Sequence, residues 1–251
     1  MIIDLITGET VEGNTDYTAS LEAYSRFIQL VLTGERNTKF DKIISDLTSD
    51  NLKALGDSRS NSYWWRARSH HSPGEAPYVN EHIGINRKAP ANGRFNKAGK
   101  GLLYLCKKRD TTFEEIHAQI GDITSVGRFK ITDLINVFVF DPNRGIISDT
   151  SGVYGDLDAF SARYFLILLM YNYIRAENTS NTYIVTQYIS SLLEKNGVSG
   201  ILYKSVVDKR NDCLCLFSEE HTKFCYTRQW QLLDYDEANR KYNCKLLYEV
   251  K

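Results

Sequence analysis

The chain has no net charge to spend: its 31 lysines and arginines are matched by 31 aspartates and glutamates, for a formal charge of +0 over 251 residues. A balanced protein has no global field to draw it onto nucleic acid or a membrane. Any anion site must therefore be built from a few placed arginines. Long hydrophobic runs are also missing. The longest, Tyr164 to Tyr173, is too short to span a bilayer. The start, Met1-Ile2-Ile3-Asp4-Leu5, lacks the basic lead-in and apolar core of a signal peptide. The expectation is a cytoplasmic protein with no membrane partner.

Cysteine is sparse and odd in number: Cys106, Cys213, Cys215, Cys225 and Cys244. No pair has the spacing of a zinc knuckle or a thioredoxin-type motif, so reduced, partly buried thiols are expected. The five histidines (His70, His71, His82, His117 and His221) have no carboxylate or cysteine at ligand spacing. They read as exposed, and no metal site is expected. There are four prolines, three of them in residues 69–92, a stretch without periodicity that reads as one long loop. Loops of that length within a domain often serve as lids or binding segments.

What is present is an ordinary globular composition, 42% apolar and 25% charged. Leu21, Tyr24, Phe27, Ile28 and Val31 recur at helical spacing and predict a helix over 16–34. Phe40, Ile43, Ile44, Leu47, Leu52 and Leu55 predict a second, ended by Gly56. Residues 1–60 thus read as a helical extension and 61–251 as the main domain. There, strands are expected near 62–68, 101–106, 123–130, 135–140, 200–206, 213–218, 223–234 and 243–250. Helices are expected near 111–120, capped by Thr111 or Thr112, and near 157–176 and 183–196. Strands and helices do not alternate regularly, which favours α+β over a doubly wound sheet.

Several segments carry candidate chemistry. Arg66 ends the run Tyr63-Trp64-Trp65-Arg66, and its fork suits a phosphate or diphosphate. An edge-strand arginine paired with a surface carboxylate has the same local sequence, and Arg68 is a rival on the same face. The turn Gly93-Arg94-Phe95-Asn96, followed by Gly99 and Gly101, can bring backbone amides to an anion, or can simply open a hairpin. Tyr104 lies on the next strand. Glu115 falls on the polar side of the following helix, as a solvated group or as a carboxylate facing a cleft. Ser205, at the end of Gly200-Ile201-Leu202-Tyr203-Lys204-Ser205, suits a ribose hydroxyl, a phosphate oxygen or a plain turn. No histidine stands out as its base, so a serine-hydrolase triad is poorly supported. The Trp64-Trp65 pair fits strand packing better than base stacking.

Taken in order, these segments resemble the RES family, toxins of bacterial toxin–antitoxin pairs named for an arginine, a glutamate and a serine. Arg66, Glu115 and Ser205 correspond to those three. Gly93-Arg94-Phe95-Asn96 is similar to the family's Gly-Arg-aromatic-Asn signature, Tyr104 stands at the family's distance before the glutamate, and Tyr183…Thr186-Gln187 matches the element before the serine strand. The resemblance covers roughly residues 62–220. It departs at Cys213, where the family usually has asparagine, and in a longer stretch over 143–180.

The resemblance implies a fold like that of ADP-ribosyltransferases, with mainly antiparallel sheets and flanking helices. It implies NAD⁺ as substrate, no prosthetic group, and cleavage of the nicotinamide–ribose bond with water or inorganic phosphate as acceptor. It assigns Arg66, helped by Arg94, to the diphosphate, Tyr104 to the nicotinamide ring and Glu115 to the charge on ribose. Ser205 completes the grip, and Gly93, Phe95, Asn96 and Gln187 complete the NAD⁺ site. The other readings are ADP-ribosyl transfer to a protein, and a non-enzymatic module binding nucleic acid or another partner. A cognate antitoxin protein is the expected partner. The extension is open to self-association, antitoxin contact or a sensing role in phage defence.

Overall fold

In a computed structural model of the chain, residues 2–3, 10–11, 29, 33, 48, 52–56, 63–70, 72, 74–140 and 183–251 are described. The chain divides into two compact units, Met1–Asp50 with Asp141–Leu192, and Asn51–Phe140 with Leu193–Lys251. This division differs from a boundary at residue 60. Residues 52–55 are not the tail of a helix but a strand of the second unit's sheet.

In the first unit, strands β1 (Ile2–Ile3) and β2 (Thr10–Val11) pair antiparallel. Gln29, Thr33 and Thr48 are helical, while the rest of the expected helices over 16–34 and 40–50, and all of that over 157–176, lie outside the described residues.

The second unit is built on β3 (Leu52–Leu55), β4 (Tyr63–Ser69), helix α1 (Asn80–Ile83), β5 (Leu103–Cys106), helix α2 (Arg109–Glu115), β6 (Ile123–Ile131) and β7 (Ile135–Phe140). Helix α3 (Ile184–Lys195) crosses from the first unit into the second, followed by β8 (Gly200–Lys204), β9 (Asp212–Leu216), β10 (Thr222–Asp236) and β11 (Lys241–Val250). The strands form one nine-stranded sheet in the order β11-β10-β6-β4-β5-β9-β8-β7-β3. Only β7 and β8 pair parallel; every other neighbour is antiparallel, giving a mixed α+β fold.

The central strands β8 and β9 are buried along nearly their whole length, which is why Gly200–Tyr203 and Cys213–Leu216 read as unbroken apolar runs. Strand β4 is instead buried at two positions on opposite faces, Trp64 and Ala67, which feed separate cores. Trp64 packs with Ile83, Leu103, Leu105, Phe129 and Leu214. Ala67 packs on the other side with Phe113, Val126, Leu232 and Tyr242. Phe113 anchors α2 there, fully buried, with the Tyr242 ring edge-on at 5.3 Å.

Helix α2 starts two residues earlier than expected and stops at Glu115. Its N-cap is Lys108, with no side-chain cap bond, so neither Thr111 nor Thr112 caps it; both are buried inside the helix. His117, at φ 53, closes the helix: its N–H reaches Glu114 O at 3.0 Å, and Ala118 N–H reaches Phe113 O at 2.9 Å. That paired bonding is a Schellman stop, with the contact between Ala118 and Phe113 that accompanies it. Ile120 consequently lies beyond the helix and is exposed.

The 69–92 segment is not free. It contains α1, whose Ile83 is fully buried, and it is tied to the sheet by His70. The His70 side chain is 1% exposed, contrary to its reading as a surface histidine. It meets Ser125 Oγ at 2.8 Å and Glu75 Oε2 at 3.2 Å, and stacks on Tyr78 at 4.3 Å. A serine, a histidine and a glutamate in series look like a hydrolytic triad. Ser125, however, is fully buried and its Oγ already accepts the Tyr78 N–H, so this cluster is a strut.

Candidate active site

The sheet is weakest where the site lies. Strand β4 pairs with β6 along its whole length but shares a single ladder position with β5, Trp65 opposite Cys106. Past that rung the two strands part, and a cleft of about 220 Å³ opens between them. Arg66 and Ala67 line it from β4, Tyr104, Leu105 and Cys106 from β5, Thr112, Glu115 and Ile116 from α2 and its cap, and Tyr203 from β8. Arg66 is the one cation and Glu115 the one carboxylate among these lining residues.

Arg66 is half-buried, and Nη1 donates to Leu102 O at 3.3 Å. Burial, with the nearby charge of Arg68, pushes its pKa down to about 10. It stays protonated at neutral pH, as a guanidinium held partly out of water and suited to an incoming anion. The rival Arg68 donates instead to Gly84 O at the end of α1, at 2.9 Å, and does not line the cleft.

Tyr104 joins the cleft to the glycine turn behind it. Its hydroxyl donates to Asn96 Oδ1 at 2.8 Å and accepts the Phe95 N–H at 2.9 Å. Asn96 Nδ2 donates in turn to Ala91 O at 2.8 Å. Gly93 is required here by space: a Cβ would stand 2.3 Å from Asn96 Oδ1 and 2.9 Å from the Tyr104 hydroxyl. Burial raises the Tyr104 pKa well above the usual tyrosine value, so the phenol stays neutral. Phe95 packs against both Tyr104, at 6.3 Å, and Tyr203, edge-on at 5.2 Å. The turn thus backs the aromatic wall; none of Gly93, Arg94, Phe95 or Asn96 lines the cleft itself.

Glu115 is the last residue of α2, and its carboxylate is held from beneath. Ser205 Oγ donates to Oε1 at 2.7 Å, and the Cys213 thiol to the same oxygen at 3.6 Å. Ser205 also accepts the Asp208 N–H at 2.9 Å and is 1% exposed. It sits behind the glutamate and does not line the cleft, so the direct grip on ribose or phosphate expected of it is not what its geometry provides. Gln187 lies on the part of α3 that belongs to the first unit and is not among the lining residues.

Residues 63–235 match the RES domain. The chain belongs to the RES-domain family. No curated protein sequence matches it. Among solved structures it is similar to a chain of the M. tuberculosis MbcT-MbcA toxin–antitoxin complex, with 11% identity over 75% of this chain and 92% of that one, and a TM-score of 0.39.

Seven of the ten residues lining the cleft of this RES-domain protein were not among the candidates, including Trp65, which was read as strand packing, Cys106 and Tyr203. Tyr203 had a signal, standing two residues before Ser205 in the quoted strand. Cys106 had none, because its place at the cleft depends on β4 and β5 parting beyond their single rung. Among the described residues no group of three or more histidine, cysteine, aspartate or glutamate side chains is placed to hold a metal, and no helix is long and apolar enough to cross a membrane.

Proposed function

We propose that the protein binds NAD⁺ and breaks the bond between nicotinamide and ribose, with water or inorganic phosphate as acceptor. One observation carries this reading: Arg66, Tyr104 and Glu115, distant in sequence, line a single cleft. Its charges complement the ligand. The lone guanidinium suits the diphosphate, and the lone carboxylate suits the positive charge that grows on ribose as the bond breaks. The aromatic walls, Tyr104, Tyr203 and Trp65, suit a cationic pyridine ring. The volume, about 220 Å³, falls below that of sites for whole drug-sized ligands. It is scaled to the nicotinamide riboside half, with the diphosphate at Arg66 on the rim.

In the reaction the bonding pair leaves with nicotinamide, which becomes neutral, and C1 of the ribose becomes an oxocarbenium-like centre facing Glu115. Water adds there and loses a proton to give ADP-ribose, or phosphate adds to give its 1-phosphate. The leaving group is already cationic, so the step needs no prosthetic group and NAD⁺ enters as substrate. A chain with this activity needs restraint, and a cognate antitoxin protein covering the cleft is the partner that RES membership favours.

Purified protein incubated with NAD⁺ is expected to release nicotinamide. The Glu115→Gln variant is expected to do so about 100-fold more slowly or less, the usual cost of removing a charge stabiliser. Equal rates in the two proteins would overturn the proposal. Label from NAD⁺ found on protein rather than on free ADP-ribose would move the activity to ADP-ribosyl transfer.

A further inference from the structure

We propose that Arg240, in the turn between β10 and β11, is a positioning residue for the Glu115 carboxylate. This rests on the reading of Glu115 as the group that meets the ribose. The RES match ends at residue 235, so the turn belongs to a part of the chain that the family does not describe.

Glu115 has a mechanical difficulty. It ends a seven-residue helix, where the backbone frays and a side chain has little to hold it. Ser205 and the Cys213 thiol hold its Oε1, and its neighbour on the helix, Glu114, is held from outside α2. Arg240 grips Glu114 and the loop that carries Ser205. Its Nη2 donates to Val207 O at 2.9 Å and to Glu114 Oε2 at 3.3 Å, and Nη1 stands 3.7 Å from Asp208 Oδ1. Asp208 is the hub of the 205–211 loop. Its N–H holds Ser205 Oγ at 2.9 Å, and its carboxylate accepts Thr111 Oγ1 of α2 at 2.9 Å and the Asn211 side-chain amide. Tyr235 closes the set from β10, donating to Glu114 Oε1 at 3.1 Å.

Arg240 thus ties α2 to the loop after β8, and those two segments meet again at the bond between Ser205 and Glu115. Its backbone supports the idea of a constrained role. Arg240 is one of two non-glycine residues with positive φ among the described residues, at φ 49. A left-handed conformation in a non-glycine residue is costly and persists where the surroundings impose it. Glu114 and Asp208 are nearly buried, with side chains 10% and 6% exposed, while Arg240 is 37% exposed. Arg240 can therefore be cut without opening the core, as can Arg210, which stands 3.6 Å from the same Asp208 oxygen.

The test measures nicotinamide release and melting temperature for the full chain, Arg240→Ala, Arg240→Lys, Ser205→Ala and the double variant Arg240→Ala/Ser205→Ala. Small misplacements of a reacting group cost up to about 100-fold. Arg240→Ala is expected to lose about tenfold in kcat with KM changed by less than about twofold, and Arg240→Lys to recover part of the loss. Both residues act through Glu115, so in the Ser205→Ala background the arginine change is expected to cost about threefold or less. A wild-type kcat in Arg240→Ala, a loss confined to KM, or full additivity with Ser205→Ala would overturn the proposal. A second readout does not depend on turnover. The ¹³C carboxyl resonance of Glu115 is expected to shift or broaden in Arg240→Ala, and an unchanged resonance would overturn the positioning role. Absence of nicotinamide release from the wild-type chain would instead sink the proposed function, leaving the resonance to decide whether Arg240 positions Glu115.

Discussion

Arg66 illustrates the tension between folding and function at one residue. Burial beside a second arginine pushes its pKa down to about 10. For a cation the sign follows directly: the unfolded chain binds the proton more tightly, so the charge costs stability below pH 10, and the cost fades only as pH rises above that value. At neutral pH the penalty is fully present, and an anionic ligand would offset it. Arg66→Met is therefore expected to melt at or above the wild-type temperature while NAD⁺ affinity, read by titration calorimetry, is lost. A lower melting temperature with affinity intact would mean that the arginine serves the fold. Asp208 has the opposite sign. Burial alone would raise its pKa, but bonds from Asn211 and Thr111 and the charge of Arg240 outweigh it, leaving the group below 3.8. Its stabilisation is present above pH 3.8 and lost as pH falls through the folded value. Asp208→Asn is expected to be less stable than wild type at pH 7, by about 1–3 kcal/mol. Urea titrations should show that gap closing in acid below pH 3.8, and a constant gap would refute the assignment. Singly, Arg66 and Glu115 were ambiguous, since Arg68 and Glu114 stand beside them and a surface pair or a solvated carboxylate has the same local sequence; only the ordered set of segments made them candidates. The role of Ser205 was not legible, since it depends on a glutamate ninety positions away in sequence.

Among the elements, strands were far easier to read than helix ends. The strands β4 to β11 fall within a few residues of their expected places, because unbroken apolar runs such as those of β8 and β9 are a direct consequence of burial on both faces. Residues 52–55 misled for a definable reason. Leu52 and Leu55 are three apart, a helical spacing, yet the segment pairs with β7 from Leu52 opposite Phe138 to Leu55 opposite Ile135. Gly56 then stops the strand rather than a helix, at φ 91 with Asp133 O 2.3 Å from where a Cβ would stand. The end of α2 was hidden because histidine is an unusual choice for a left-handed stop, which glycine ordinarily supplies. His117→Gly is expected to stabilise the protein by about 0.5–1 kcal/mol, the left-handed penalty for a side chain less the entropy glycine adds to the unfolded chain. Chemical denaturation checks this, and a destabilised variant would show that the imidazole makes a contact worth more than the strain. The change also bears on function, because His117 closes the helix two residues beyond Glu115.

For the molecule as a whole, the question is whether the RES match, residues 63–235, is a self-sufficient folding unit. The sheet says it is not. It continues past both ends of the match, through β3 on one edge and β11 on the other. Strand β11 pairs with β10 from Thr227 opposite Val250 to Asp236 opposite Lys241, so removing it would leave a long β10 edge with its backbone groups unpaired. The same cut would remove Tyr242, which covers Phe113 and packs at a tilt against Tyr235 at 4.6 Å, opening the core that anchors α2. Losing a buried aromatic of this kind costs about 3–5 kcal/mol, a large share of the roughly 5–15 kcal/mol by which domains are stable. A chain cut to residues 63–235 is thus expected to aggregate or to lack a cooperative melt, whereas the full chain melts cooperatively. Scanning calorimetry and light scattering on the two proteins distinguish these outcomes. If the short chain melts cooperatively and still releases nicotinamide, then β11 and its turn are ornaments. If it fails while Tyr242→Ala in the full chain survives with a lowered melting temperature, the edge strand supports the site through both the sheet and the aromatic core.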